Sequence, residues 1–240
     1  MSLRTAYTLW APVYDLAVSA ATRRMRHASL SRLPLRPGDK ALIVGVGTGL
    51  DLPWLPSGPE YTGIDLTPAM LDRARREAER NGQRLDLRVA DATALPYASA
   101  SFDAVVMHLI CAVVPEPTAA LAEAARVLRP GGEIAIVDKF LRPGQRAPLR
   151  RLAAPLLRRI ATRTDVVFED CLARVDGLEV VEDEALGAGG WFRRIRLRRA
   201  LDTADKRAPD CIREPAPDEV MCESKVRPAP GAGRDRTSGE

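Results

Sequence analysis

The 240-residue sequence has no apolar run near the roughly 18 residues that a membrane-crossing helix needs. Met1–Tyr14 lacks a basic start followed by an apolar block, so no signal peptide is expected and the cytoplasm is the expected compartment. Cysteine is sparse and dispersed. Cys111, Cys171, Cys211 and Cys222 form no C-x-x-C pair, which argues against a disulfide framework or a zinc site and predicts reduced thiols and no metal. Aromatic residues make up only 5% of the chain. That leaves few side chains to stack on bases, and no RNA-binding module is recognisable, so nucleic acid is not an expected partner despite the basic balance. Internal repeats are absent.

The composition that is present suits a globular domain with a full core, at 46% hydrophobic residues. The formal charge of +4 is unevenly spread. Lys139, Arg142, Arg146, Arg150, Arg151, Arg158, Arg159 and Arg163 fall in a stretch without one acidic residue. Within it, Leu149, Leu152, Ala153, Leu156, Leu157 and Ile160 recur at helical spacing. Two readings fit this segment: an ordinary helix with its apolar stripe on a sheet, or an amphipathic helix at an anionic membrane surface through residues 139–163. Both hold if one edge meets lipid. Residues 203–240 carry five prolines and scattered charges with little apolar content, and are expected to be a disordered tail.

Between these limits the pattern alternates. Residues 1–37 read as a partly basic helical segment with Tyr7, Trp10 and Tyr14 at spacings of three and four. Strands are expected near 40–46, 60–65, 84–90, 102–108, 133–138, 178–185 and 191–199. Helices are expected from about Gly49, from Thr67 as N-cap with Pro68 at the first helical position, around Leu121–Leu128, and near 168–175. Asn81-Gly82 ends the second of these, and Arg129-Pro130-Gly131-Gly132 reads as a turn. Alternating strands and helices predict an α/β doubly wound sheet, mostly parallel.

The most informative stretch is Ala41–Leu50, an apolar run ending in Gly45-Val46-Gly47-Thr48-Gly49, with Asp65 closing the next apolar run. Glycines let a turn approach a ligand, and a carboxylate about twenty residues on can accept both hydroxyls of a ribose. The pattern implies an adenosine-bearing ligand. Leu50 stands at the sixth position where a dinucleotide fingerprint has Gly or Ala, and the chain has no Gly-Lys-Ser/Thr after the turn to make a P-loop.

Five pieces in order resemble the class I S-adenosylmethionine-dependent methyltransferases: Gly45-x-Gly47-x-Gly49, Gly63-Ile64-Asp65, Asp91-Ala92, Phe102-Asp103, and Arg126-Val127-Leu128-Arg129-Pro130-Gly131-Gly132. The resemblance covers about residues 38–140 and implies a seven-stranded Rossmann-like sheet, with a methyltransferase domain over 38–202 behind an N-terminal lid at 1–37. By resemblance, Gly45, Val46, Gly47 and Gly49 approach the methionine and ribose parts of S-adenosylmethionine. Asp65 takes the ribose, Leu66 flanks the adenine, Asp91 takes its amino group with Ala92 adding a backbone contact, and Met107 and His108 line the cleft near the sulfonium. Asp91 also reads as a simple turn former.

One position departs from the pattern. The family carries Asp or Glu two residues before the first glycine, where it helps hold the methionine end, and this chain has Ile43. Asp51 can substitute from beyond the turn, or can merely favour a helix N-terminus. A weakly binding, non-catalytic domain is therefore one of three readings.

The residues after the fourth expected strand bound the acceptor. His108-Leu109-Ile110-Cys111 is not the Asn/Asp-Pro-Pro-aromatic signature of amino-base methylases, and Cys111 has no preceding proline. Val46–Pro53 and Ala112–Pro117 resemble bacterial phospholipid N-methyltransferases, which implies a small or lipid acceptor of the phosphatidylethanolamine kind and peripheral contact at the inner membrane face. Tyr14-Asp15 resembles a lid segment those enzymes share with quinone C-methyltransferases; Tyr14 also reads as a core aromatic. His108 fits a general base, which a quinone-type ring carbon would need, or a packing imidazole. Lys139 opposes building a cation on an amine unless it faces a phosphate.

Overall fold

The computed structural model describes residues 22–144, 165–186 and 192–201. Tyr14, the disordered-tail expectation and most of the basic segment lie outside these residues. Residues 22–30 are helical (α1). Then come β1 (Lys40–Val44), a 3-10 turn at Leu52–Trp54, β2 (Glu60–Asp65), α2 (Pro68–Arg80), β3 (Leu85–Val89), β4 (Phe102–His108), α3 (Pro117–Val127) and β5 (Leu128–Asp138). The last elements are α4 (Phe168–Leu172), β6 (Leu178–Leu186) and β7 (Phe192–Arg199).

The seven strands order as β3-β2-β1-β4-β5-β7-β6. β1 through β5 pair parallel, and β7 runs antiparallel to both β5 and β6. The sheet is therefore mixed by one strand, close to the mostly parallel expectation. Strand order reverses between β1 and β4, and a doubly wound sheet opens its crevice at the carboxyl ends of those two strands.

Sequence alternation decides the two faces. On one, Leu42, Val44, Val105 and Met107 pack with Leu121, Ala124 and Val127 of α3 and with Phe168 of α4. On the other, Ala41, Ile43, Ala104 and Val106 pack with Leu30 of α1 and with Leu71, Ala74 and Ala78 of α2. β4 is covered on both faces, which is why its sequence reads as a near-continuous apolar run. Burying each Val, Leu, Ile, Met or Phe among these stabilises the fold by roughly 1.5–3 kcal/mol.

Two elements differ from the sequence expectation. The segment after Gly49 makes only the 3-10 turn Leu52–Trp54, because Pro53 and Pro56 withhold the amide donors a longer helix needs. β5 starts at Leu128 rather than Glu133, with a register shift against β4 between Phe102 and Ala104. Arg129–Gly132 is thus an irregular strand start, and it explains both glycines. Gly131 has φ +78°, and a Cβ on Gly132 would lie 2.6 Å from the Asp103 carbonyl oxygen and 2.8 Å from Leu128 Cδ1. Gly132→Ala is expected to lower unfolding free energy by about 1–3 kcal/mol through this overpacking. Thermal or urea unfolding checks it, and a wild-type midpoint would show that the strand start yields at no cost.

Candidate active site

At the carboxyl end of β1 the chain turns through Gly45, Gly47 and Gly49, all with positive φ. Each glycine answers a different demand. A Cβ on Gly45 would strike Ile110 Cδ1 at 2.6 Å, and one on Gly49 would strike Leu52 Cδ1 at 2.9 Å with α2 just behind. A Cβ on Gly47 would meet nothing closer than the Gly45 carbonyl oxygen at 3.9 Å. Gly47 therefore serves its backbone conformation and leaves open space in front of the turn.

Asp65 ends β2 beside this turn. Its Oδ2 accepts the Gly47 N–H at 3.0 Å and its Oδ1 accepts the Thr67 N–H at 2.9 Å. Burial pushes its carboxyl above the usual range, and the backbone donors at Thr67 and Gly47 offset part of that. Each carboxylate oxygen keeps a further lone pair for a hydroxyl donor. Leu66, next along, is 56% exposed, as is Val89, the register partner of Asp65 on β3. Asp91 comes after β3 and is exposed; its Oδ1 accepts both the N–H and the hydroxyl of Thr93 at 2.8 Å. These bonds lower its pKa and shape the turn after β3.

Other expected contacts fall elsewhere. The Met107 side chain is fully buried in the core on the α3 face and does not line the crevice, because residues along β4 alternate between faces. The side chains of Val46 and Ala92 are also core, which leaves the backbone contact expected of Ala92 untouched. His108 does stand at the crevice end of β4, but its ring is enclosed. Nδ1 lies 2.7 Å from Asp51 Oδ1 and Nε2 lies 3.0 Å from Ser29 Oγ. Nδ1 thus bonds the carboxylate and Nε2 bonds the serine hydroxyl. Both ring nitrogens are occupied inside the protein, so His108 has none facing an acceptor. The order Ser29, His108, Asp51 matches that of a nucleophilic triad, but Ser29 is buried in α1, where no ester can reach it.

Asp51 is 2% exposed and also takes Arg26 Nη1 at 2.8 Å. Burial opposes its charge, but His108 and Arg26 outweigh burial and hold the carboxyl well below the usual range. Arg26 Nε donates to Thr22 Oγ1 at 3.1 Å. The network joins α1, the turn after β1 and the end of β4. Its sequence signal was Thr22, Arg26 and Ser29 at spacings of four and three, a polar stripe on one helical face.

A second buried carboxylate, Asp138, ends β5, accepts the Ala112 N–H at 3.0 Å and the Lys139 N–H at 2.7 Å, and so staples the loop after β4 to β5. Burial pushes its pKa up to about 6, against the backbone donors.

The comparisons with known proteins agree with this geometry. A family model described as a methyltransferase domain matches residues 42–136. A phosphatidylethanolamine N-methyltransferase of Cereibacter sphaeroides is 36% identical over 197 residues, covering 81% of this chain and 96% of that protein. The chain belongs to the class I S-adenosylmethionine-dependent methyltransferases. A demethylmenaquinone methyltransferase of Renibacterium salmoninarum is 36% identical over 55% of this chain and 56% of its own. Among solved structures, geranyl diphosphate methyltransferase in complex with S-adenosylmethionine has a TM-score of 0.59 at 20% identity, covering 76% of this chain and 85% of its own, which shows the shared fold. The residues present fit this methyltransferase's cofactor: an open glycine turn, a half-buried carboxylate beside it and an exposed apolar flank all meet at one sheet end.

Asp138 gives this methyltransferase a pH signature. Its folded pKa is raised from 3.8 to about 6, so the folded state binds the proton more tightly than the unfolded chain does. Its contribution is fully present below the unfolded value and is lost as pH rises through about 6. Relative to Asp138→Asn, wild-type stability is expected to fall by roughly 2–3 kcal/mol between pH 4 and pH 7. Urea unfolding across that range checks it, and parallel pH curves for the two proteins would contradict it.

Proposed function

We propose that this methyltransferase moves a methyl group from S-adenosylmethionine to the amine of a phosphatidylethanolamine-like lipid. The observation that carries the reading is the similarity to the Cereibacter sphaeroides enzyme over nearly the whole of that protein. S-adenosylmethionine supplies the electrophilic methyl on its sulfonium. The acceptor nitrogen, once its ammonium proton has passed to solvent, would form the C–N bond while the electron pair of the broken C–S bond stays on sulfur.

In this reading Asp65 holds the ribose, Gly47 gives backbone room beside it, and Leu66 flanks the adenine. Asp91 and the Ala92 backbone close the adenine end, and Gly45, Val46 and Gly49 shape the turn around the methionine part. His108 orients the site from within. Catalysis rests on holding the acceptor at attacking distance rather than on a side-chain base. Lys139, which would oppose a growing cation, lies 5.7 Å over the ring of Phe192. That contact draws its ammonium toward β7, on the side of β5 away from β4.

The basic stretch from Lys139 to Arg163 supports approach to an anionic membrane surface, where such an acceptor resides. Among the described residues no helix is long and apolar enough to cross a membrane. The quinone-type reading draws on His108 as a base, and the enclosed imidazole weighs against it.

Label from methyl-labelled S-adenosylmethionine, offered in parallel to phosphatidylethanolamine vesicles, a demethylated quinol and RNA, is expected in the lipid fraction. Asp65→Ala is expected to abolish transfer at cofactor levels that saturate the wild type. Label confined to the quinol would overturn the lipid assignment.

A further inference from the structure

The acid missing from β1 leaves a structural question at the glycine turn. Ile43 is 1% exposed and pairs in register with Val106 of β4. His108 is the next β4 residue on that same face of the sheet, and it holds Asp51. The carboxylate absent from the strand thus reappears on the same face, just past the turn.

Asp51 is tied into three elements. Its own backbone comes directly after the turn, with the Leu52 N–H donating to the Gly49 carbonyl at 3.0 Å and the Trp54 N–H to the Asp51 carbonyl at 3.0 Å. Its carboxylate reaches the last residue of β4 through His108 and reaches α1 through Arg26. β1 and β4 are the walls of the crevice, so the Asp51–His108 bond braces those walls at their open end. Ile110, two residues past His108, is the side chain that closes over Gly45. The brace therefore also sets how the segment after β4 lies against the first glycine. α1 completes it twice, through Arg26 on the carboxylate and through Ser29 on the far nitrogen of the imidazole.

With a side chain only 3% exposed and Oδ1 shared by a guanidinium and an imidazole, Asp51 has its charge committed to partners inside the protein. An intact buried ion pair of this kind adds little net stability, whereas removing one partner leaves an uncompensated buried charge. We propose that Asp51 is a positioning residue for the cofactor: acting through His108 and Arg26, it locks the glycine turn against β4 and makes that turn competent only when α1 is docked. The proposal rests on the methyltransferase reading of the crevice, and it deepens that reading by assigning the work of the absent β1 acid to a brace instead of a direct contact.

The test uses the full chain and S-adenosylhomocysteine binding by calorimetry, which needs no acceptor. Asp51→Asn is expected to weaken binding at least tenfold. Arg26→Met is expected to weaken it as well, by several-fold, because α1 then no longer holds the brace. The control is Asp103→Asn. Asp103 bridges β1 and β4 at their opposite ends, accepting the Lys40 N–H at 2.8 Å and Arg129 at 2.6 Å. Its loss is expected to lower the unfolding midpoint and leave affinity unchanged.

Equal affinity in Asp51→Asn and wild type overturns the proposal, and so does an equal weakening in Asp103→Asn. Tighter binding in Arg26→Met also overturns it, since a carboxylate that touched the ligand directly would gain from losing its competitor. If Asp51→Asn does not fold, Ser29→Ala removes only the hydroxyl on His108 and reads the same brace: a several-fold weakening supports the proposal and unchanged affinity overturns it. Wild-type protein that binds no cofactor overturns the methyltransferase reading together with this one, whereas binding that is insensitive to these substitutions overturns this one alone.

Discussion

A carboxylate with almost no exposure to water, shared between a guanidinium and an imidazole, ties the turn after β1 to the end of β4. Unpaired, that charge would be costly to bury, so the fold holds Asp51 ionised only while Arg26 and His108 stay in place. The constraint reaches outward. It places α1 against the sheet, fixes where β4 ends, and sets the width of the crevice into which Asp65 and Gly47 look. The apolar packing of Ile43, Val106 and Leu30 lies beneath it on the same face and seals it from solvent.

Above this floor the crevice is built from backbone more than from side chains. The glycine turn presents open space at Gly47, and the Asp65 carboxylate is already oriented by two backbone donors before any ligand arrives. Preorganisation of that kind limits the ordering cost of binding a flexible cofactor. On the far wall Asp138 does for the loop after β4 what Asp65 does for the turn after β1, since each carboxylate at a strand end gathers the N–H groups of its neighbours. Transfer to an amine, as proposed, asks little of side-chain bases, which agrees with a crevice whose imidazole is sealed inside the protein.

Much of this could be read from the residues. The alternation of strands gave the sheet, and Gly45, Gly47, Gly49 and Asp65 were recognisable because their spacing is local. Gly132 was legible as a motif, but its reason, a crowded approach to the Asp103 carbonyl, appears only when β4 and β5 are paired. The helix expected after Gly49 failed because Pro53 and Pro56 outweighed the apolar periodicity. Met107 and His108 were adjacent in the sequence and assigned together, yet strand alternation sends them to opposite faces. The partners of Asp51 were invisible for a different reason. The polar stripe of Thr22, Arg26 and Ser29 is local, but Arg26, Ser29 and His108 are separated by up to 79 residues from the groups they touch, so the stripe does not name its partners.

Asp51 either holds the turn from behind or grips the ligand in front. A crystal structure of the full chain with S-adenosylhomocysteine decides between the two most directly. A brace predicts the ribose hydroxyls on the Asp65 carboxylate, with Asp51 still bonded to His108 and Arg26 and out of reach of the ligand. A carboxylate of Asp51 swung away from His108 onto the ligand's amino group would contradict it.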